Sequence, residues 1–270
     1  MATITAIIIT KNEEEMIADC LDSIGFCNEI LVIDSGSTDR TVDISQRMGA
    51  RVMSVLTDNF SKIRNFGLEK ARKDWVLYID ADERVSPELA RSIQEKIQKS
   101  RTQEFSAYKL HRKNFYLGNH EWPVIENMER FFKKSVLKKW QGKLHETPLF
   151  DVPIGELDGF LLHYTHRNLS AMLTKTIIWS KTEAELRFKS GHPRMTWWRF
   201  PRVMVSAFYN SYITQQGWKV GTAGLIESMY QAFSMFVTYA RLWELQNASK
   251  EPDYLKTQSD IRYDTNEDTI

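Results

Sequence analysis

Through the first hundred residues, short unbroken apolar runs alternate with stretches whose apolar positions recur every three or four residues. The runs at 4–9, 29–33, 51–55 and 75–79 are rich in β-branched and aromatic side chains, which suits strands buried on both faces of a parallel sheet. The stretches between them predict helices. Asn12 with Glu15 three positions on has the form of a capping box, and Met16, Ile17, Leu21 and Ile24 supply an apolar stripe behind it. Further helices are predicted from about 38 to 48 and from 60 to 72. Ser86-Pro87-Glu88 then opens another, with a capping serine, a proline at the first helical position and an acid in the first turn.

Four strand–helix units in succession predict an α/β fold with a mostly parallel sheet and helices on both faces. Thr10-Lys11-Asn12, Asp34-Ser35 and Asp80-Ala81-Asp82 each follow the end of a different strand. Right-handed crossovers bring all three to one sheet edge, where open α/β sheets bind their ligands. Asp80 and Asp82 would repel each other there unless a cation lay between them. Oxygen donors of this kind suit Mg²⁺ or Mn²⁺, with phosphate oxygens completing the shell. In isolation the same triplet also describes a solvated turn, so its position carries the reading.

After residue 100 the rhythm changes. Strand-like pieces at 107–110, 130–132 and 161–164 lie among Gly, Pro and charged loops, predicting irregular α+β structure that closes over the crevice. Helices follow, over about 169–189, 200–215 and 222–246. The chain therefore divides into an α/β half at 1–100, an α+β half of the same domain at 101–167, a helical region at 168–248 and a tail at 249–270. Residues 251–270 carry six acids against two bases with few large apolar groups, and the tail is expected to be disordered.

Charge and cysteine content narrow the setting. A formal charge of +1 gives no global attraction for nucleic acid. Residues 101–150, however, hold ten Lys/Arg against five Glu, a basic surface suited to phosphates or anionic lipid. Two cysteines, Cys20 and Cys27, form no disulfide framework, and the chain starts directly on a strand without a secretion signal; both point to the cytoplasm. Between 220 and 240 the only charge is Glu227. Leu225, Ile226, Met229, Ala232, Phe233, Phe236, Val237 and Ala240 nevertheless fall on one stripe with polar residues opposite, which predicts an amphipathic helix, packed on the protein or lying at an interface, rather than a spanning segment. The preceding stretch sets Arg194, Arg199 and Arg202 among Trp197, Trp198 and Phe200, a pattern suited to the anionic inner leaflet of a membrane.

Four motifs in order carry a resemblance: T-K-N-E after the first strand, V-I-D-S-G-S-T-D-R-T after the second, F-S-K-I-R-N-F-G, and W-V-L-Y-I-D-A-D-E. Together they resemble family 2 inverting glycosyltransferases of the GT-A, Rossmann-like fold, and in particular bacterial lipopolysaccharide-core β-1,4-glucosyltransferases. W-Q-G-K-L-H-E-T-P at 140–148 and L-H-Y at 162–164 extend the likeness more weakly. The resemblance implies a UDP-sugar donor, a lipid-linked glycan acceptor, and transfer of a hexose, glucose by closest likeness. It implies nucleotide contacts from Thr10, Asn12, Glu13, Asp34 and Ser35, with Asp34 accepting from uracil N3–H. It also implies that Lys62 or Arg64 approaches the base or pyrophosphate, that Asp80-Ala81 meets the ribose, and that Asp82 holds the metal.

Inversion needs one carboxylate to take the acceptor's proton while the sugar is attacked from the opposite face. Glu146 in H-E-T-P is the first candidate and Glu126 the second, with Glu129 also available. His145 and His163 are candidate metal or phosphate partners, and Arg130 a candidate pyrophosphate clamp. No H-E-x-x-H occurs, which excludes a zinc protease of that type, and no Gly-rich loop after the first strand supports a nucleotidyltransferase or a dinucleotide-binding oxidoreductase. The competing reading is a catalytically inactive nucleotide-sugar-binding or membrane-associated scaffold.

Overall fold

The computed structural model describes residues 2–98, 105–142 and 146–248; the tail and His145 lie outside them. The chain forms two compact units, Met1–Asn168 and Leu169–Ile270.

In the first unit, β1 (Ile4–Thr10), α1 (Ile17–Ser23), β2 (Glu29–Asp34), α2 (Thr41–Arg47), β3 (Arg51–Ser54), α3 (Phe60–Lys70) and β4 (Trp75–Asp80) follow in turn. Then come β5 (Glu83–Val85), α4 (Pro87–Gln98), β6 (Ala107–Tyr116), β7 (His120–Glu121), β8 (Glu126–Lys133), β9 (Lys139–Gln141), β10 (Thr147–Leu149) and β11 (Ile154–Tyr164). One nine-stranded sheet runs β3-β2-β1-β4-β8-β6-β11-β5, with β7 on β6, and β9 pairs with β10 apart from it. From β3 to β4 the sheet is parallel. The α/β fold read from the sequence holds. Every residue of β1 is buried. One face of the sheet packs Ile17, Leu21, Leu89 and Ile93 from α1 and α4, and the other packs Ile63 from α3. At Gly67, α3 lies so close to the sheet that a Cβ would sit 2.5 Å from Ile7 Cγ2. That approach fixes the helix that carries Arg64.

Two local expectations are corrected. Asn12 does not cap a helix: its backbone is left-handed at φ 56°, and α1 begins five residues later. Its side chain is engaged across the edge, accepting from the Thr38 N–H at 2.7 Å. The short pieces at 107–110, 130–132 and 161–164 prove to be the apolar parts of the longer strands β6, β8 and β11. Their remaining positions include Arg112 and Asn114, whose partners lie on β5 and β8, so a search for apolar runs stops short of them.

The second unit comprises α5 (Leu169–Lys189), α6 (Arg199–Tyr209), a π-helical turn (Asn210–Thr214), a 3₁₀ turn (Gly217–Val220) and α7 (Gly221–Asn247). Of the two placements open to the α7 stripe, packing on the protein does not hold for its large side chains. Leu225, Ile226, Met229, Phe233 and Phe236 are exposed, while Gly224, Glu227, Ser228 and Thr238 are buried. The cause is close backbone contact: a Cβ on Gly224 would lie 1.8 Å from the Gly217 carbonyl oxygen. Only small side chains fit at that crossing, while Tyr230, Tyr239 and Leu242 fill the inner face further along the helix. Among the described residues, no helix is long and apolar enough to cross a membrane.

Candidate active site

Register brings the three polar strand ends together, with Thr10 opposite Asp34 and Ile9 opposite Asp80. The loops after β1 and β2 then lock onto each other. Ser37 Oγ accepts from the Asn12 N–H at 2.8 Å, Thr41 Oγ1 accepts from the Glu13 N–H at 2.8 Å, and the Ser35 N–H donates to the Thr10 carbonyl at 3.0 Å. Asp34 is buried, and its carboxylate accepts from the N–H groups of Gly36 and Ser37. That turn holds the acid at the sheet edge with further lone-pair capacity for a ligand donor.

Beside it, Asp80 lies between two buried arginines. Arg64 Nη2 donates to Oδ1 at 3.0 Å, and Arg130 Nη2 to Oδ2 at 3.1 Å. Burial alone would raise the Asp80 pKa; the two guanidiniums outweigh it and hold the carboxyl well below its usual range. Arg64 also donates through Nε to Glu146 Oε1 at 2.6 Å, and its guanidinium stands 5.0 Å from the Trp140 ring. Among the described residues, the buried Nη1 atoms of Arg64 and Arg130 and the buried hydroxyl of Thr10 have no hydrogen-bond partner. A buried guanidinium N–H left unpaired is costly, and two of them in one cleft fit a ligand rich in anionic oxygens.

Asp82 belongs to a second chain of contacts. Asn114 Nδ2 donates to Glu126 Oε1 at 3.0 Å, which leaves its Oδ1 to accept from His163 Nδ1 at 2.7 Å. His163 Nε2 is thereby aimed at Asp82 Oδ2, 3.3 Å away. Behind them, fully buried Glu83 accepts from Arg112 at 3.1 Å and from the Asp80 N–H at 2.8 Å, and Arg112 also binds Glu126. Asp82 and His163 are the residues that fit a divalent cation: one carboxylate oxygen and one oriented imidazole nitrogen. Among the described residues no group of three or more such donors occurs, so the remaining positions would fall to phosphate or water oxygens.

Residues 5–149, more than half of the chain, match the domain described as glycosyl transferase family 2. The chain belongs to that family. An uncharacterized glycosyltransferase of Rickettsia typhi is 28% identical, with 97% of this chain and 95% of that one aligned. The lipopolysaccharide core biosynthesis glycosyltransferase LpsC of Rhizobium meliloti is 26% identical, over 93% and 95% respectively. Among solved structures, mannosyl-3-phosphoglycerate synthase from Rubrobacter xylanophilus aligns with a TM-score of 0.36 and 24% identity over 46% of this chain. The alignment covers 42% of that synthase, so the chain spans less than half of its length.

Within this family 2 glycosyltransferase, Arg64 and Lys62 are sharply distinguished. Arg64 is buried in the cleft, whereas Lys62 is exposed on α3. Glu126 and Glu146 both rest on arginines, but the Glu146 side chain is 12% exposed and that of Glu126 44%. Glu129 stands opposite Lys109 on β6. Sequence reasoning missed Glu83, Arg112, Asn114 and Trp140 as site components. The signal was present in part: Arg112 and Asn114 share one face of a strand at period two, and Asn114 registers with His163.

Proposed function

We propose that the chain is a metal-dependent inverting hexosyltransferase, moving a hexose, glucose by closest resemblance, from a UDP-sugar to a lipopolysaccharide-core or similar lipid-linked glycan. It would act in the cytoplasm, at the inner face of the membrane where such an acceptor is presented. The observation that carries the reading is the pair of buried guanidinium nitrogens on Arg64 and Arg130, without a partner among the described residues, beside Asp82 and His163. It is a site for a diphosphate next to a site for a divalent cation. Membership of family 2 supports the reaction class, and the likeness to LpsC supports the acceptor class.

Each residue then has a chemical task. Asp34 accepts from the uracil N3–H, and Thr10, Asn12, Glu13 and Ser35 shape the nucleoside end. Asp80 and Ala81 meet the ribose, and Arg64 and Arg130 hold diphosphate oxygens, with Lys62 at the outer margin. Asp82 and His163 hold Mg²⁺ or Mn²⁺, which when bound offsets negative charge on the departing diphosphate. For the base we place Glu126 ahead of Glu146, because the more exposed carboxylate can reach an acceptor hydroxyl and Glu146 faces inward onto Arg64. Glu126 takes the hydroxyl proton as the acceptor oxygen bonds to C1; the C1–O bond to the diphosphate breaks and its electron pair leaves with UDP. His145 has no task in this scheme.

The test is UDP release from a panel of UDP-hexoses with Mn²⁺ or Mg²⁺, alongside thermal shift. A cognate donor raises the melting temperature only with metal and releases UDP slowly, then faster with acceptor. Binding without metal-dependent turnover, at any acceptor concentration, would establish the scaffold reading instead.

A further inference from the structure

The helical unit has a small apolar core around Ala184, Met195, Tyr239 and Leu242, and much of the rest of its interior is polar. Its inner seam is small and hydroxylic: Thr176 and Ser180 of α5 are buried against α7, Thr176 hydrogen-bonds Tyr230, and Ser228 Oγ meets Ser211 Oγ at 3.0 Å. Gln231 donates to the buried Glu227 at 2.7 Å. Large apolar side chains face outward on all three helices. Ile178 on α5 is 61% exposed, Val205 on α6 67%, and Met229 on α7 60%. Water disfavours such a surface, and a soluble monomer rarely shows so large a patch without an occupant.

Charge and aromatic placement identify the occupant. Residues 169–247 hold nine Lys/Arg against four Glu. Three tryptophans each carry a cation over the ring: Lys175 on Trp179 at 5.1 Å, Arg199 on Trp198 at 5.3 Å and Lys219 on Trp218 at 5.5 Å. Trp197 beside them is 83% exposed. Amphipathic rings paired with cations suit the level of lipid headgroups, and the net positive charge suits anionic ones. A second copy of the chain fits less well. The stripe Ile226, Met229, Phe233, Phe236, Ala240 and Trp243 has the three–four spacing of a coiled-coil seam, yet it lacks the charged flanks that set register. A single helix–helix seam would also leave α5 and α6 uncovered.

We infer that the helical unit beds its outward apolar face in an anionic phospholipid surface, lying in the headgroup plane without crossing the bilayer. The inference extends the proposed lipid-linked acceptor and rests on that reading for its purpose, while its evidence lies in this unit alone.

Vesicle flotation of the full chain tests it, with phosphatidylcholine vesicles compared against vesicles that also carry phosphatidylglycerol. The chain is expected to float with the anionic vesicles and to release as salt is raised. Arg199→Gln with Arg202→Gln should weaken binding about 25-fold, from two cations lost near a charged surface. Met229→Asp with Phe233→Asp should stop flotation while keeping the far-UV circular dichroism and the thermal shift with UDP. Equal flotation on both vesicle types, none on either, or wild-type flotation by both double variants overturns the inference. So does a dimer in sedimentation that Met229→Asp/Phe233→Asp dissociates while lipid goes unbound. If flotation persists but UDP gives no thermal shift, the catalytic reading fails and this one stands.

Discussion

The two units differ in how much of their apolar vocabulary they bury. In β1 and β4 the isoleucines, leucines and tryptophan are buried and the polar groups sit at the strand ends. In α7 glycine, serine, threonine and a glutamate are buried beside Tyr230, Tyr239 and Leu242, while Met229, Phe233, Phe236 and Trp243 face outward. Hydrophobic patterning marks both, as unbroken runs in β1 and β4 and as a stripe at helical spacing in α7. What it reports is which residues share a face; the direction of that face depends on what the face meets. In the α/β unit a sheet between two layers of helices leaves no choice. In the helical unit the 1.8 Å approach at Gly224 admits only small side chains beside Gly217, and the inner face beyond it is filled by Tyr230, Tyr239 and Leu242, which leaves the remaining apolar stripe outside.

The largest effect should come from the cation pair of the first unit. Asp82→Asn removes the carboxylate and is expected to lower metal-dependent UDP release by at least about a hundredfold, the scale of losing one well-placed electrostatic group. Its melting temperature should stay near wild type, since the Asp82 side chain is at the cleft and not in the core. Normal turnover by this variant would remove Asp82 from the proposed cation site. Asn114→Ala acts one step further away, by freeing the His163 ring, and should weaken Mn²⁺ binding about 10–100-fold in a titration. No change in that titration would mean that Asn114 does not orient His163.

How much of this site could be read beforehand follows the same division. Asp34, Asp80 and Asp82 stood out because each follows an apolar run, and strand order alone delivers them to one edge. Arg64 and Lys62 could not be ranked, because nothing in K-I-R tells which cation turns inward; burial between Asp80 and Glu146 does. Arg112, Asn114 and Glu83 went unseen because buried polar residues on strands look like solvent-facing ones until their partners are known. Asn12 was misread as a cap because a left-handed asparagine and a helix cap share a sequence context.

Truncation at matched apolar positions should separate the units next. Leu77→Ala, in the sheet core, is expected to cost about 2–5 kcal/mol in denaturant unfolding. Phe233→Ala, on the outer face of α7, should stay within about 0.5 kcal/mol. A comparable loss at Phe233 would mean that its face is covered in solution. The converse substitution is smaller but more specific. Ser228→Leu forces bulk against Ser211 and Gly224 and should cost about 1–3 kcal/mol, although it makes the helix more apolar. If Ser228→Leu stabilises the protein, α7 does not pack by its small residues.

The smallest effect concerns acid. Among the described residues, the carboxyls held below their ordinary range, Glu29, Asp39, Asp74 and Asp80, all belong to the α/β unit. Glu29 isolates the effect away from the cleft. Burial raises its pKa, but the Thr5 hydroxyl, the Arg72 N–H and the Arg51 guanidinium together more than reverse this. Its folded pKa is therefore lower than its unfolded one, so below about pH 4.3 the unfolded chain binds a proton that the folded chain resists. The stabilisation is complete above that value and is lost as pH falls towards the folded pKa. Glu29→Gln should accordingly melt lower than wild type at pH 7, and the difference should narrow as the pH is taken down through 4. A difference that stays constant across that range would assign the loss to packing or to neutral hydrogen bonding, and would detach the acid sensitivity of the α/β unit from the charge on Glu29.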